Sequence, residues 1–246
     1  MPSSLASRLL ARARRGAPDD GLHPIKKRAI DHGFDAVGAR SFADLGGVWA
    51  VDGGYSFYAL ERHAPERAVL VDEHHTDAVH ERAAEHPALE LVEANFGAPE
   101  TAEHVGQVDA VLLFDVLLHQ VAPDWDQILE LYAPRTRAFV LVNPQWTDGD
   151  GAVRLLDLGR EEYLASVPPM GDLHDGLFDR LDEINPQRGR PWRDVHDVWQ
   201  WGITDQALER TMAGLGFTCA YREDAGPWQG LDRFANRAFV FVAEGR

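Results

Sequence analysis

Residues 41–60 constrain the fold of this chain most, because a strand, a glycine-rich turn and a helix follow one another there. Residues 42–45 are a short apolar run interrupted by Asp44, and helical spacing covers residues 55–60. Two glycine pairs lie between them: Gly46 and Gly47, then Gly53 and Gly54. Glycine lacks a Cβ, so the backbone of such a turn can pass close to a ligand. The free N–H groups at the helix start favour carboxylate, phosphate or ribose oxygens, and Asp44 is placed to accept a hydrogen bond from a ligand ammonium.

Strand and helix patterns alternate along the next hundred residues in the manner of a parallel α/β sheet. The predicted strands cover residues 42–45, 68–71, 89–92, 108–114 and 137–142. The predicted helices between them cover residues 55–63, 76–85 and 124–132. The fourth strand is a continuous apolar run, which is typical of a strand buried on both faces. We therefore expect five parallel strands with their carboxyl ends along one edge.

The alternation stops at Asn143-Pro144, and residues 145–203 are rich in Trp, Gly, Pro and Asp. This segment has helical pieces at 160–166 and 177–183, and we interpret it as an insertion or lid near the open end of the sheet. A helix over 205–213 follows, and then two strands that are too close in sequence for a parallel crossover and must be antiparallel neighbours. These last two strands are predicted at 217–222 and 237–243.

The N-terminal segment predicts a helical cap, because residues 3–15 and 22–33 have helical spacing on either side of a glycine- and proline-containing break. We accordingly expect a cap over residues 1–33 and an α/β domain over residues 34–246. The basic N-terminus lacks an apolar core of the kind found in a signal peptide and fits an amphipathic helix better.

The composition excludes several classes of partner. The 246-residue chain has a formal net charge of −16, which repels phosphate backbones and disfavours a nucleic-acid substrate. No apolar run approaches the ~18 residues of a membrane span, so we expect no membrane partner. One cysteine, Cys219, excludes an internal disulfide and suits a reducing cytoplasm. The sequence does not determine the oligomeric state, and a homodimer is one of the alternatives.

The order of these motifs resembles the class I methyltransferases that use S-adenosylmethionine, over about residues 34–144 and 204–243. The resemblance implies a Rossmann-like, doubly wound, mostly parallel seven-stranded sheet with an antiparallel C-terminal strand, an N-terminal helical cap and an insertion after the fifth strand. It also implies that S-adenosylmethionine is the cofactor. Together with the acidic surface and the aromatic insertion, the resemblance leads to the hypothesis that the methyl acceptor is a small molecule of specialised metabolism, methylated on oxygen or nitrogen. The chain departs from the compact glycine motif of the family, because residues 48–52 separate the two glycine pairs.

The resemblance assigns candidate cofactor contacts to the ends of the first four strands. Asp44 and the four glycines would lie at the methionine part, and Asp72 at the ribose, where a carboxylate can accept two hydrogen bonds from a cis-diol. Asn95 would reach the adenine amino group and Phe96 would pack on the adenine ring. Phe114 and Asp115 would end the fourth strand facing the reactive methyl.

The acceptor side has candidate residues of two kinds. A hydroxyl or amine acceptor must lose a proton, and His119 follows the fourth strand on the side where the methyl should lie. His174 and His196, in the insertion, are second choices for this role. Four aromatic residues of the insertion are candidates for an acceptor pocket: Trp146, Tyr163, Trp199 and Trp201. An extended segment would place both rings of Trp199 and Trp201 on one side.

Two further hypotheses remain open. The first is an NAD-linked oxidoreductase, although the glycine spacing is wrong for the dinucleotide-binding motif. The second is a binding protein with a degenerate cofactor pocket. Histidines 74, 75, 80 and 86 suggest a metal site. His75 and His80 are five residues apart and would not share a helical face, so we expect no required metal.

Overall fold

A seven-stranded β-sheet lies at the centre of the protein. The computed structural model describes residues 21–169, 176–228 and 230–245. The helix predicted over residues 3–15 and the candidate base His174 lie outside the described residues. Up to the fifth strand the elements are α1 (Pro24–Val37), β1 (Ser41–Leu45), α2 (Gly54–His63), β2 (Arg67–Asp72), α3 (Asp77–Ala83), β3 (Leu89–Glu93), α4 (Pro99–Val105), β4 (Val108–Phe114), α5 (Trp125–Tyr132) and β5 (Thr136–Trp146). The remaining elements are β6 (Val153–Arg154), α6 (Arg160–Ser166), β7 (Ile184–Asn185), β8 (Arg190–Pro191), β9 (Trp201–Gly202), α7 (Asp205–Gly214), β10 (Phe217–Pro227) and β11 (Phe234–Ala243).

The strand order of the main sheet is β10-β11-β5-β4-β1-β2-β3. Strands β1 to β5 are mutually parallel, whereas β11 is antiparallel to both of its neighbours, β5 and β10. This confirms the predicted mostly parallel sheet with an antiparallel C-terminal strand. The carboxyl ends of β1 to β5 therefore meet along one edge, called the rim below, where ligands of open α/β sheets bind.

Both faces of the sheet are covered by helices. On one face, α1 and α2 pack through Ile30, Phe34 and Phe57 against even-numbered residues of the central strands such as Val140. On the other face, α5 and α7 contribute side chains such as Ile128 and Leu208. Each large apolar side chain buried in this way stabilises the fold by roughly 1.5–3 kcal/mol. Strand β4 is buried on both faces, as its uninterrupted apolar sequence predicts.

Several boundaries differ from those predicted. Strand β5 continues through Pro144 to Trp146, because β4 ends opposite Val142 and the rest of β5 pairs only with β11. A proline without an N–H is tolerated at such an edge position. Helix α1 extends to Val37, β10 and β11 are both longer than predicted, and α4 was not predicted. Of the helix predicted over 177–183, only a 3₁₀ turn at Leu177–Asp179 forms.

The insertion has a hydrophobic cluster of its own. Leu155, Tyr163, Leu177 and Trp199 are buried there together with Leu118, which follows β4. A backbone hydrogen bond of 2.9 Å from Gln200 to the Leu118 carbonyl attaches the segment to the rim side of β4. In the part of the chain that the structure describes, no helix has the length and apolar character needed to cross a membrane.

Candidate active site

Asp44 lies at the rim with its carboxylate fully buried. The Ser56 hydroxyl, from the first turns of α2, donates a 2.6 Å hydrogen bond to Oδ2, while Oδ1 has no partner. Burial raises the pKa of Asp44 to about 6, and the nearby Asp72 acts in the same direction. The Gly47 backbone passes directly over this carboxylate, because a Cβ at Gly47 would lie 2.4 Å from Oδ2. Asp44 is thus a buried acid with one oxygen available to a ligand.

The two glycine pairs have different surroundings. Gly46 and Gly47 lie at the rim, and a Cβ on Gly46 would come within 2.8 Å of Val116 and 3.3 Å of Phe96. Gly53 has a φ of 68° at the start of α2 and packs against the core, and Gly54 packs against Leu22. Since the Gly53 N–H donates to the Gly47 carbonyl at 3.1 Å, residues 48–52 form a closed side loop. The extra residues therefore leave the first glycine pair at the end of β1.

Asp72, the last residue of β2, supports the glycine loop. Its Oδ2 accepts a 3.0 Å hydrogen bond from the Val48 N–H, and its Oδ1 accepts one of 2.8 Å from the Glu73 N–H. An ionised carboxylate has about four acceptor positions, so these two contacts leave capacity for a diol. The side chain is only partly buried.

Asn95 and Phe96 follow β3 and adjoin the glycine loop. The Asn95 side-chain oxygen accepts a 2.8 Å hydrogen bond from the Gly97 N–H. The Phe96 carbonyl accepts one from the Tyr132 hydroxyl, also at 2.8 Å, and this bond fixes the loop against α5. The Phe96 ring lies close to Gly46. Phe96 therefore lies next to the first glycine pair at the rim.

Asp115 follows β4 in a left-handed conformation with a φ of 58°. Its Oδ2 accepts a 2.5 Å hydrogen bond from Lys26 of α1, and its buried Oδ1 has no partner. The Lys26 ammonium also lies 4.9 Å from the ring centre of Tyr55 and 5.7 Å from that of Phe114. Its charge lowers the pKa of Asp44 as well, which places the lysine close to both acids.

These groups fit the amino-acid end of a ligand. Asp44 and Asp115 each have a buried carboxylate oxygen without a partner, and an ammonium group is a suitable hydrogen-bond donor to such an oxygen. Lys26 offers a cation to a carboxylate beside them. The crowded Gly47 is also consistent with close passage of a ligand over the backbone.

His119 lies in a 3₁₀ turn after β4. Its Nδ1 lies 2.9 Å from the Val198 carbonyl, and because a carbonyl only accepts, Nδ1 carries the hydrogen and Nε2 the lone pair of the neutral ring. Burial lowers the pKa of His119, so the ring is neutral near pH 7. His196 lies nearby, with Nε2 3.1 Å from the Val121 carbonyl.

The aromatic residues of the insertion are mostly packed. Trp146, Tyr163 and Trp199 are buried in the insertion cluster, and burial raises the pKa of Tyr163. Trp201 is more exposed and packs instead against the main core, and its Nε1 donates a 2.7 Å hydrogen bond to the Gln120 carbonyl. Trp199 and Trp201 pack into different clusters, Trp199 into that of the insertion and Trp201 against the main core, and β9 begins only at Trp201.

A cavity of about 220 Å³ opens between the end of β2 and the insertion. Arg188 bridges its mouth, since the guanidinium lies 3.3 Å from Glu73 beside Asp72 and 2.8 Å from Asp197 of the insertion. The lining residues are Glu73, Gln187, Arg188, Arg190, Val195 and His196.

Comparison with known proteins gives matches in structure alone. No protein-family model and no curated protein sequence matches the chain. The 1,6-didemethyltoxoflavin-N1-methyltransferase of Burkholderia thailandensis, solved with 1,6-didemethyltoxoflavin and S-adenosylhomocysteine, superposes with a TM-score of 0.57 at 14% identity over 97% of this chain and 87% of its own. The N-terminal domain of EvdMO1, solved in the presence of S-adenosylhomocysteine and D-fucose, gives 0.55 at 16% identity over 98% and 97%.

A third structure, an O-methyltransferase family protein also from Burkholderia thailandensis, gives a TM-score of 0.53 at 15% identity over 91% of this chain. The match spans 56% of that protein's length. The chain has the fold of the class I methyltransferases. Within this methyltransferase fold, the predicted contacts at the ends of β1 to β4 come together at one rim.

Two residues of the site were not predicted as such. Lys26 stood out in the sequence only as part of the basic run 26–28, and it lies 89 residues from Asp115, so no local pattern indicates their pairing. Ser56 lies in the first turn of α2, where a serine side chain usually hydrogen-bonds to nearby backbone. Its contact with Asp44 follows from how α2 packs on β1.

Proposed function

We propose that this protein is an S-adenosylmethionine-dependent methyltransferase that methylates oxygen or nitrogen of a small molecule. The observation that carries the proposal is the pair of buried, unpartnered carboxylate oxygens of Asp44 and Asp115 next to the Lys26 ammonium. An amino-acid group has complementary charges, and the methyltransferase fold binds its ligands at this rim.

In the proposed complex, Asp44 and Asp115 accept from the cofactor ammonium and Lys26 binds its carboxylate. Gly46 and Gly47 allow the methionine part to lie close to the backbone. Asp72 holds the ribose diol with its remaining acceptor positions, and Asn95 and Phe96 contact the adenine. Phe114 supports Lys26, while Gly53 and Gly54 shape the turn from behind.

Bound S-adenosylmethionine would supply an activated methyl group on a sulfonium. The residues of the chain align donor and acceptor and exclude water, and alignment alone contributes roughly 7–11 kcal/mol in favourable cases. His119 is proposed as the base that takes the acceptor proton on Nε2, because its lowered pKa keeps that nitrogen unprotonated.

The acceptor is proposed to bind between the rim and the insertion. D-fucose and 1,6-didemethyltoxoflavin, present with the two similar structures, are both small molecules. Trp201 is the most exposed of the four candidate aromatics, and Trp146, Tyr163 and Trp199 would shape the pocket from the insertion cluster. The net charge of −16 disfavours a nucleic-acid acceptor. A cytoplasmic location and a homodimer remain predictions.

Calorimetric titration with S-adenosylhomocysteine tests the proposal. We expect one site per chain, weakened at least about tenfold in Lys26→Met and Asp72→Asn, since hydrogen bonds to charged groups contribute about 1.5–3 kcal/mol. Lys27→Met is the matched control, because Lys27 lies over the Tyr58 ring, away from Asp115. Absence of both heat and a thermal shift at millimolar ligand would refute the proposal. A shift with NAD instead would favour the oxidoreductase.

A further inference from the structure

Three potential metal ligands converge just beyond the end of β2: His75, His80 and Glu93. One ligand atom from each lies within 4.8 Å of the others. Glu93 ends β3, His80 lies on α3, and His75 precedes the Thr76 cap of that helix. The sequence argument on helical faces does not apply, because His75 is outside the helix and its ring meets that of His80 edge-on, with 5.9 Å between centres.

The His75 ring is an independent sign of a missing partner. Its side chain is fully buried, and neither ring nitrogen makes a hydrogen bond of standard length and angle, although the Leu70 backbone lies close enough to interact with the ring. Buried polar groups are nearly always paired, and an unpaired imidazole carries a substantial desolvation cost. A cation bound at Nδ1, which faces Glu93 at 3.9 Å, would satisfy one of these nitrogens.

The chemistry of the set suits a divalent transition ion. Two imidazoles and one carboxylate are typical ligands of Zn²⁺, Co²⁺ or Ni²⁺. With metal–nitrogen distances of about 2.0–2.1 Å, the three atoms must approach one another further. His80 is exposed, and Glu93 is already held near His75, because its Oε1 accepts a 3.0 Å hydrogen bond from the His75 backbone N–H.

We propose that His75, His80 and Glu93 form a binding site for one divalent transition-metal ion, with water completing its coordination. The site is separate from the candidate methyl-transfer residues and does not rest on the proposed function. None of the three ligands is a candidate cofactor contact, although Asp72 lies only three residues before His75.

Titration of the full, untagged chain with Zn²⁺ by calorimetry, and with Co²⁺ by visible absorption, tests this proposal. We expect one ion per chain and a Co²⁺ spectrum of low-coordinate type. Affinity should fall at least about tenfold in His80→Ala and in Glu93→Gln, since even residues that only orient metal ligands cost 10–100-fold when lost. These two exposed positions keep the test valid should His75→Ala, at a buried site, fail to fold.

His104→Ala is the matched control, because His104 pairs with Glu90 of the same strand as Glu93 at 2.7 Å, and no third potential ligand joins them among the described residues. This variant should bind as the wild type does. Absence of stoichiometric binding would overturn the proposal. Binding that survives His80→Ala but is lost in His74→Ala would also overturn it, since exposed His74 lies 3.5 Å from the same Glu93 oxygen on the solvent side.

Discussion

At the scale of single residues, the buried carboxylate of Asp44 disfavours folding, whereas its unpartnered oxygen favours the proposed ligand binding. A fully buried carboxylate with one unpartnered oxygen is unfavourable for folding, and its raised pKa expresses that cost. The folded protein holds this proton more tightly than the unfolded chain does. The stability that Asp44 contributes is therefore present below its unfolded pKa and is lost as the pH rises through the folded pKa.

The first prediction is that Asp44→Asn stabilises the protein at neutral pH while weakening S-adenosylhomocysteine binding. The change in pKa from 3.8 to about 6, at ~1.4 kcal/mol per pH unit, amounts to on the order of 3 kcal/mol. Burial of the new amide removes part of this, so we expect a gain of roughly 1–2 kcal/mol. Urea unfolding at pH 4 and pH 7.5 should show little gain at the lower pH.

Asp109→Asn is a control for which we expect the opposite change in the free energy of unfolding. Burial acts to raise the pKa of Asp109, but hydrogen bonds from Arg40, Ser41 and Arg137 hold it below its usual value. This variant should be less stable than the wild type at pH 7.5, and the difference should shrink as the pH falls through the unfolded pKa. If Asp44→Asn also destabilised at pH 7.5, the unpartnered oxygen would have a partner in solution.

At the scale of helices and strands, the sequence is most informative where local residue patterns alone determine the position of an element. The apolar run of β4 and the glycine turn after β1 were located correctly, since burial on two faces and backbone freedom leave local signals. Strand β5 is longer than predicted because its last residues pair with β11, which lies about ninety residues later in the sequence. The pairing of Lys26 with Asp115 is a consequence of the whole fold in the same way.

The second prediction concerns two helix glycines that sequence alone treats alike. A Cβ at Gly33 of α1 would lie 2.3 Å from Val140, because the helix packs closely on β5 there. Gly33→Ala should cost about 1–3 kcal/mol through overpacking. A Cβ at Gly214 of α7 would meet nothing within 4 Å, so Gly214→Ala should stabilise by about 0.5–1 kcal/mol. Thermal unfolding measures both, and equal signs would contradict the described packing of α1.

At the scale of the whole molecule, an ion-pair bridge connects the insertion to the residue that follows β2. The cavity of about 220 Å³ beside this bridge is lined by Glu73 and by residues of the insertion, not by the candidate cofactor contacts at the ends of β1 to β4. Arg188 connects the two sides through Glu73 and Asp197. Exposed ion pairs of this kind contribute about 0–1 kcal/mol each, which is small enough for reversible opening.

The third prediction is that Arg188→Ala accelerates S-adenosylhomocysteine association. Removing the bridge lowers the free energy of opening by up to ~1 kcal/mol, so the rate should rise by up to about fivefold. Stopped-flow tryptophan fluorescence measures it. Added salt should accelerate the wild type and leave Arg188→Ala nearly unchanged, because salt screens the same exposed pairs. Arg160→Ala breaks a pair with Asp179 inside the insertion and should behave as the wild type. An unchanged rate in Arg188→Ala would mean that ligand enters without separation of the insertion from Glu73.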